Sequence, residues 1–291
     1  MAAFDKDANP YDEAGLAKHI EQVLRVERPR GPLFHLAYPL FKRMFRPQLL
    51  GVHNIPSQPS LFVGNHSLFA SDGYLLAPVM WMEQGRFLRG LGDKALWTPL
   101  TENFLMSQGA AIGHPDVCAA LMEKGCDLMV FPGGAHEATK TQAQRYQLQW
   151  RERYGFVRMA AAHRYPIVPM AIVGPDEFYN HLLEGRDLPD SPLGQILKRI
   201  GVINENTRRD VIPPLPIGAL GTAVPKPQYC YIQFGEPVTV RGRGGKAPGL
   251  QTLKRVRGEV AAQIEEMLYT LQALRDEDRN QQSCLRSLLT T

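Results

Sequence analysis

Phe62-Val63-Gly64-Asn65-His66-Ser67-Leu68-Phe69-Ala70-Ser71-Asp72 is the most informative stretch of the chain. The apolar run Leu61-Phe62-Val63 stops at a glycine, a histidine follows, and Asp72 comes just before a second apolar run, Tyr74 to Met82. That order spells strand, tight turn, helix start. It places His66 at the carboxyl end of a strand, where open α/β sheets gather their ligand crevice. A carboxylate at the start of the next helix can hold one imidazole nitrogen and leave the other as a base. The same pair also occurs in capped turns that carry no chemistry, so the rest of the chain has to discriminate.

Working outward, Phe87 to Gly92 and Gly109 to Gly113 are expected as strands, and His114-Pro115 opens a helix that stops at Gly125. Asp127 to Phe131 is a further strand running directly into Pro132-Gly133-Gly134-Ala135-His136-Glu137. Two adjacent glycines after a buried strand let a backbone approach a ligand and aim N–H groups at an anionic oxygen. No Gly-Lys-Ser/Thr follows, which excludes a nucleotide P-loop, and a Pro-Gly-Gly run is also simply a turn. Residues 140–165 are expected to be mainly helical. Pro166 to Gly174 and Tyr229 to Phe234 are expected as strands, with an irregular proline-rich region over 175–228 between them. Near-continuous apolar runs such as Leu128 to Phe131 and Ile167 to Val173 imply a sheet covered on both faces. The fold class is therefore α/β, a largely parallel central sheet flanked by helices.

The two ends frame that sheet. Residues 1–11 are expected as a tail, Tyr11 to Arg25 as a helix capped by Asp12, and Leu33 to Phe45 as a second helix rich in aromatic and basic groups. Residues 1–48 form an N-terminal helical extension and 49–291 the main domain, with Leu49 to Pro59 as loop. The extension fits either a docked helix pair or a peripheral anchor on a membrane surface, its apolar groups entering the lipid boundary and its cations meeting headgroups. Arg241 to Lys246 is a basic glycine-rich connector. Leu250 to Leu274 carries one apolar stripe, Leu253, Val256, Val260, Ile264, Met267, Leu271 and Leu274, and is an amphipathic helix expected to pack back on the sheet.

Composition narrows the function classes. The chain has 33 basic and 29 acidic residues and a net charge of +4, too mild for a dedicated nucleic-acid binder. Four cysteines without paired spacing suggest neither disulfides nor zinc and point to a reducing, cytoplasmic setting. The eight histidines show no helical ligand spacing, so no metal is expected. No apolar run approaches the ~20 residues of a spanning helix.

Taken together, the blocks Gly64-Asn65-His66 with Asp72, Gly109 to Gly113, Phe131 to Glu137, Tyr154 to Arg158, Ile167 to Gly174 and Phe234-Gly235-Glu236-Pro237 resemble the glycerolipid (lysophospholipid) acyltransferase superfamily. The likeness is greatest to its monoacylglycerol and diacylglycerol acyltransferase branch, and it runs from about Leu49 to Val240. It implies transfer of a fatty acyl group from acyl-CoA, a co-substrate rather than a tightly bound cofactor, to a lipid hydroxyl. His66 would be the base and Asp72 its partner, with no serine or cysteine nucleophile. Asn65, Gly133, Gly134, His136 and Glu137 would serve the substrate or oxyanion, and Lys94 and Arg158, with Arg89, Lys140 and Arg145, are candidates for the CoA phosphates. Two departures stand out. Five residues separate His66 from Asp72 where the family signature has four. Gly133 and His136 also replace the glutamate and arginine that phosphate-accepting members carry, which removes a natural bidentate phosphate clamp. The acceptor implied is a neutral alcohol, with lysophospholipid or lysophosphatidate acylation, thioester or ester hydrolysis, and non-enzymatic membrane binding as the rival functions.

Overall fold

A computed structural model describes residues 12–28, 32–98, 100–200, 203, 209, 212–240 and 247–290; the expected N-terminal tail and the connector Arg241 to Lys246 lie outside the described residues. In chain order the elements are α1 (Glu13–Arg25), α2 (Pro32–Phe45), β1 (Gln48–Leu50), β2 (Leu61–Gly64), α3 (Ser71–Gln84), β3 (Leu88–Gly92), α4 (Glu102–Ser107), β4 (Ala111–Ile112), α5 (Pro115–Glu123) and β5 (Asp127–Val130). They continue with α6 (Gly134–Ala138), α7 (Gly155–His163), β6 (Ile167–Val173), β7 (Asn180–Leu183), α8 (Pro192–Arg199), β8 (Leu215–Ile217), β9 (Tyr231–Phe234), α9 (Leu250–Asn280) and α10 (Cys284–Thr290).

Seven strands form one sheet in the order β1-β9-β6-β2-β5-β3-β4. Every neighbouring pair is parallel except β6 with β9. The apolar runs account for this. All seven residues of β6 and all four of β2 are buried, as a sheet covered on both faces requires. Side chains alternate between the faces. Leu61 and Val63 of β2 pack with Val117 and Leu121 of α5, Val157 and Ala160 of α7, and the stripe of α9. Phe62 joins Leu75, Leu76 and Met80 of α3 and Phe45 of α2 on the other side. The apolar segment after His66 is thus core on that face.

Helix α9 lies against the sheet as its pattern requires, burying Leu253, Val256, Val260, Ile264, Met267 and Leu271, with Leu268 added and Leu274 partly buried. Each such aliphatic side chain stabilises the fold by roughly 1.5–3 kcal/mol on burial. At the other end, the Asp12 side chain accepts the Gly15 N–H at 2.7 Å and caps α1. Buried His19 of α1 accepts the Ile112 N–H at 3.1 Å, which ties the helix to edge strand β4. Burial, aided by Arg89, pushes the His19 pKa down to about 4, so the ring is neutral and able to accept. Helix α2 runs unbroken through Pro39 and divides its apolar groups: Tyr38 and Phe45 are buried, whereas Leu36 and Leu40 are exposed.

Three expectations need correction. Only residues 155–163 of the 140–165 stretch are α-helical; the rest is turn and short 3-10 structure, with Tyr146 and Arg151 left-handed at φ 62° and 49°. That stretch lacks a 3.6-residue apolar period, and its aromatic Trp150 is buried by tertiary contact. The 175–228 region holds the antiparallel pair β7–β8 and α8 besides irregular backbone. Within Leu49 to Pro59, three-residue β1 pairs with β9, too short to leave a periodic signal.

Candidate active site

The connection after β2 leads to β3 on one side, and that after β5 leads to β6 on the other, so the sheet's topology reverses between β2 and β5. A crevice at the carboxyl ends of strands forms at such a point. Both glycine-bearing turns, Gly64 to Asp72 after β2 and Phe131 to Glu137 after β5, emerge there.

His66 Nδ1 lies 2.8 Å from Asp72 Oδ2 and 3.1 Å from Oδ1. A carboxylate only accepts, so Nδ1 carries the hydrogen, and in the neutral ring Nε2 keeps its lone pair. Asp72 is fully buried and also accepts the N–H groups of Ser67 at 2.6 Å and Gly73 at 2.7 Å, while its own N–H donates to Ser67 Oγ at 2.9 Å. This reciprocal Ser67–Asp72 pair closes the turn as a capping box closes a helix. The residue in excess of the family spacing is absorbed between them, where Phe69 and Ala70 both take left-handed backbone, φ 58° and 55°. The imidazole stacks on Phe131, centroids 4.4 Å apart and planes at 4°, which fixes the ring plane. Burial pushes the His66 pKa down, but Asp72, seconded by Glu137, outweighs it and leaves the ring more basic than an ordinary histidine.

The remaining expected residues divide. Asn65 is buried, and its side chain donates to Ile172 O at 2.9 Å and accepts Ile172 N–H at 2.8 Å, so it bridges β2 to β6 and is not placed for substrate. Gly134 N–H donates to Phe131 O at 2.9 Å and closes the turn, which removes it as an oxyanion donor. Gly133 N–H makes no hydrogen bond among the described residues. A Cβ on Gly133 would fall 1.7 Å from Glu137 Oε2, so this glycine makes room for a carboxylate. Glu137 is fully buried and its Oε1 accepts the His66 N–H at 2.9 Å. Burial raises its pKa to about 7, against the opposing pull of Lys140 and the His66 amide. His136 Nδ1 lies 3.3 Å from Arg151 Nη2.

Of the phosphate candidates, Lys94 and Arg158 are exposed. The others are engaged inside the protein. Arg89 is buried, donating to Gly109 O and Val23 O. Arg145 donates to Tyr179 O at 2.7 Å. Lys140 is buried, pairing with Asp176 at 2.7 Å and donating to His66 O at 2.7 Å. Beside the second turn stand cations that sequence reasoning did not single out: Arg153 donates to Pro132 O at 2.9 Å, and Arg257 donates to Arg151 O. Arg151, Arg153 and Arg257 have no carboxylate partner among the described residues. Asp176 was also missed; it follows the end of β6 at Gly174-Pro175 and meets Lys140 only through the fold. A cavity of about 540 Å³ lined by Arg28, Arg86, Phe87, Lys124 and Asp127 lies at the amino ends of β3 and β5, the far end of the sheet from His66. Its Arg86 is paired with Asp127 and its Lys124 donates to Leu24 O.

Residues 46–173 match the model of the family described as Acyltransferase, and the resemblance expected from the motif blocks is thereby shown. The chain is 27% identical over 252 residues to phytyl ester synthase 2, chloroplastic, of Arabidopsis thaliana, an overlap covering 78% of this chain and 34% of that protein. It is 29% identical over 124 residues to the DGAT1/2-independent enzyme synthesizing storage lipids of Gallus gallus, covering 42% of this chain and 37% of that one. The chain thus spans about a third of the length of these relatives. The crystal structure of a 1-acyl-sn-glycerophosphate acyltransferase from Thermotoga maritima superposes with a TM-score of 0.42 at 14% identity, covering 87% of this chain and 79% of that one. At that score the fold rests on the chain's own topology.

Proposed function

We propose that this chain, with its acyltransferase-family segment at residues 46–173, transfers a fatty acyl group from acyl-CoA to the hydroxyl of a neutral lipid alcohol. The observation that carries the proposal is the His66–Asp72 pair, its Nδ1 held by a buried carboxylate and its Nε2 left as a base at the reversal point of the sheet. In the proposed step Nε2 takes the proton of the acceptor hydroxyl as its oxygen attacks the thioester carbonyl. Asp72 stabilises the imidazolium, and Gly133 N–H is the backbone donor left for the tetrahedral oxyanion. Collapse expels the CoA thiolate, which recovers the proton from His66. Arg151, Arg153 and Arg257, without a carboxylate partner among the described residues, supply guanidinium groups beside the second turn for the CoA phosphates.

Two features favour a neutral acceptor: Gly133 and His136 stand where phosphate-accepting relatives carry a glutamate and an arginine, and relatives are named for phytyl esters and storage lipids. One contact favours the second reading, a lysophosphatidate acceptor, because Arg151 brings a guanidinium to His136. Among the described residues no helix is long and apolar enough to cross a membrane. Lipid access would come through α2, where Leu36 and Leu40, 78% and 71% exposed, share one face near exposed Arg43.

A competition assay tests the reading. Labelled palmitoyl-CoA is offered with monoacylglycerol, diacylglycerol, a long-chain alcohol and lysophosphatidate together, with His66→Ala as control. Label in a neutral ester, lost by at least about 10³-fold in the variant, is the expected result. Label in phosphatidate would establish the second reading, and label only in free fatty acid would make the protein a hydrolase.

A further inference from the structure

The hydrogen-bond ladder of β2 ends at Gly64 opposite Met170, so the backbone of His66 lies beyond the sheet. Leaving its N–H and C=O unpaired in a buried turn would cost about 1–3 kcal/mol each. Both are satisfied from one place. Glu137 Oε1 accepts the N–H at 2.9 Å and Lys140 Nζ donates to the C=O at 2.7 Å. These two side chains are three positions apart, at the end of α6 and just past it. Lys140 is in turn anchored by Asp176, whose Oδ2 lies 2.7 Å away and also accepts the Tyr146 N–H at 2.9 Å. The Lys140 and Asp176 side chains are 3% and 2% exposed, so this pair is sealed from solvent and from substrate.

We propose that Glu137 and Lys140 are positioning residues that clamp the His66 backbone from both sides, with Asp176 as the strut for Lys140; the role rests on the acyl-transfer reading above. His66 is then fixed at three points: its backbone N–H and C=O by the clamp, and its ring Nδ1 by Asp72. The Lys140 ammonium, and Glu137 once ionised, make these bonds about twice as strong as neutral ones. They also tune the base, since Glu137 raises and Lys140 lowers the His66 pKa, while Asp72, the other charged group facing the ring, raises it. Gly133 belongs to the same device, because any side chain there would displace the Glu137 carboxylate.

The clamp makes a prediction that a merely structural ion pair does not. A buried pair replaced by neutral groups of similar shape often costs little stability. The double variant Lys140→Met/Asp176→Asn loses the donor to the His66 C=O and is therefore expected to stay folded and melt within about 10 °C of wild type, with KM within about twofold, while kcat falls by roughly 10–100-fold, the size of effect a small misplacement of a catalytic group produces. Imidazole titration by NMR, without substrate, should show His66 titrating at higher pH in this variant and at lower pH in Glu137→Gln. A folded double variant that keeps wild-type kcat, or an unmoved His66 titration in folded Glu137→Gln and double-variant protein, overturns the proposal. Should the double variant fail to fold, the isosteric Glu137→Gln titration decides. Should wild type transfer no acyl group to any acceptor, the reading of the activity fails while the titration still decides the clamp.

Discussion

At His66 burial and charge oppose each other, and the balance sets how the proposed base responds to pH. Burial favours the neutral ring, but the buried Asp72 carboxylate at 2.8 Å favours the imidazolium and prevails. The sign follows directly. A base whose pKa is raised is protonated, hence inactive, up to a higher pH, so the acid limb of kcat/KM should turn above 6.5, the ordinary value for histidine. In Asp72→Asn the carboxylate is gone and burial dominates, so the limb should move to lower pH while the plateau falls by roughly 10²–10⁴-fold, because an amide no longer enforces the Nδ1–H tautomer. A pH–rate profile of both proteins measures this. A limb that stays in place would show that Asp72 does not govern the ring. Asp72 was legible as a partner because it falls at a helix start. The partners of the His66 backbone were not, since Glu137 lies 71 and Lys140 74 positions away and both are brought in by the pairing of β2 with β5.

Among the elements, the turn between β2 and α3 carries two adjacent strained residues. Phe69 and Ala70 are consecutive L-residues in left-handed backbone, a conformation that costs an ordinary residue about 1–2 kcal/mol. Two anchors hold it there: the Ser67–Asp72 exchange, and Ser71 Oγ donating to Leu68 O at 2.7 Å. Glycine adopts such a φ freely but loses about 0.5–1 kcal/mol through its greater freedom in the unfolded chain. Ala70→Gly should therefore leave activity in place and raise the unfolding free energy by up to about 1 kcal/mol, measured by denaturant titration. A loss larger than that would mean the Ala70 methyl packs against something the turn depends on. The strand–turn–helix order was visible in sequence, but the left-handed pair was not. Neither residue is a glycine, and only the demand that Asp72 reach both Ser67 N–H and His66 Nδ1 forces the backbone there.

For the whole molecule, the two layers of helices over one sheet bury most of the apolar stripe residues and leave a few outside. On α2, Tyr38 and Phe45 turn inward while Leu36 and Leu40 remain 78% and 71% exposed. Because those two leucines support nothing in the core, Leu36→Asp/Leu40→Asp should leave the melting temperature within about 2 °C of wild type, as surface changes do. Co-sedimentation with anionic phospholipid vesicles should fall by several-fold, and turnover of a soluble short-chain acyl donor should persist. Retained vesicle binding in the folded variant would remove α2 as the lipid-facing element.

The sequence by itself determined the class of fold and the two turns that meet at its centre. Buried parallel strands must read as unbroken apolar runs, and a strand that stops at glycine before a histidine or a second glycine leaves a mark that local pattern preserves. The stripe of α9 was equally plain, because one face of a long helix must repeat every 3.6 residues to reach the sheet. Only the tertiary structure decided which polar groups serve His66. It moved Lys140 from an assumed phosphate contact to the His66 carbonyl, turned Asn65 and Gly134 to bonds within the framework, and brought Arg151, Arg153 and Arg257 together near the second turn. The physical reason is that a periodic pattern records which side of an element is buried. The partner of a single polar group depends on chain crossings tens of residues away, and no local spacing encodes those.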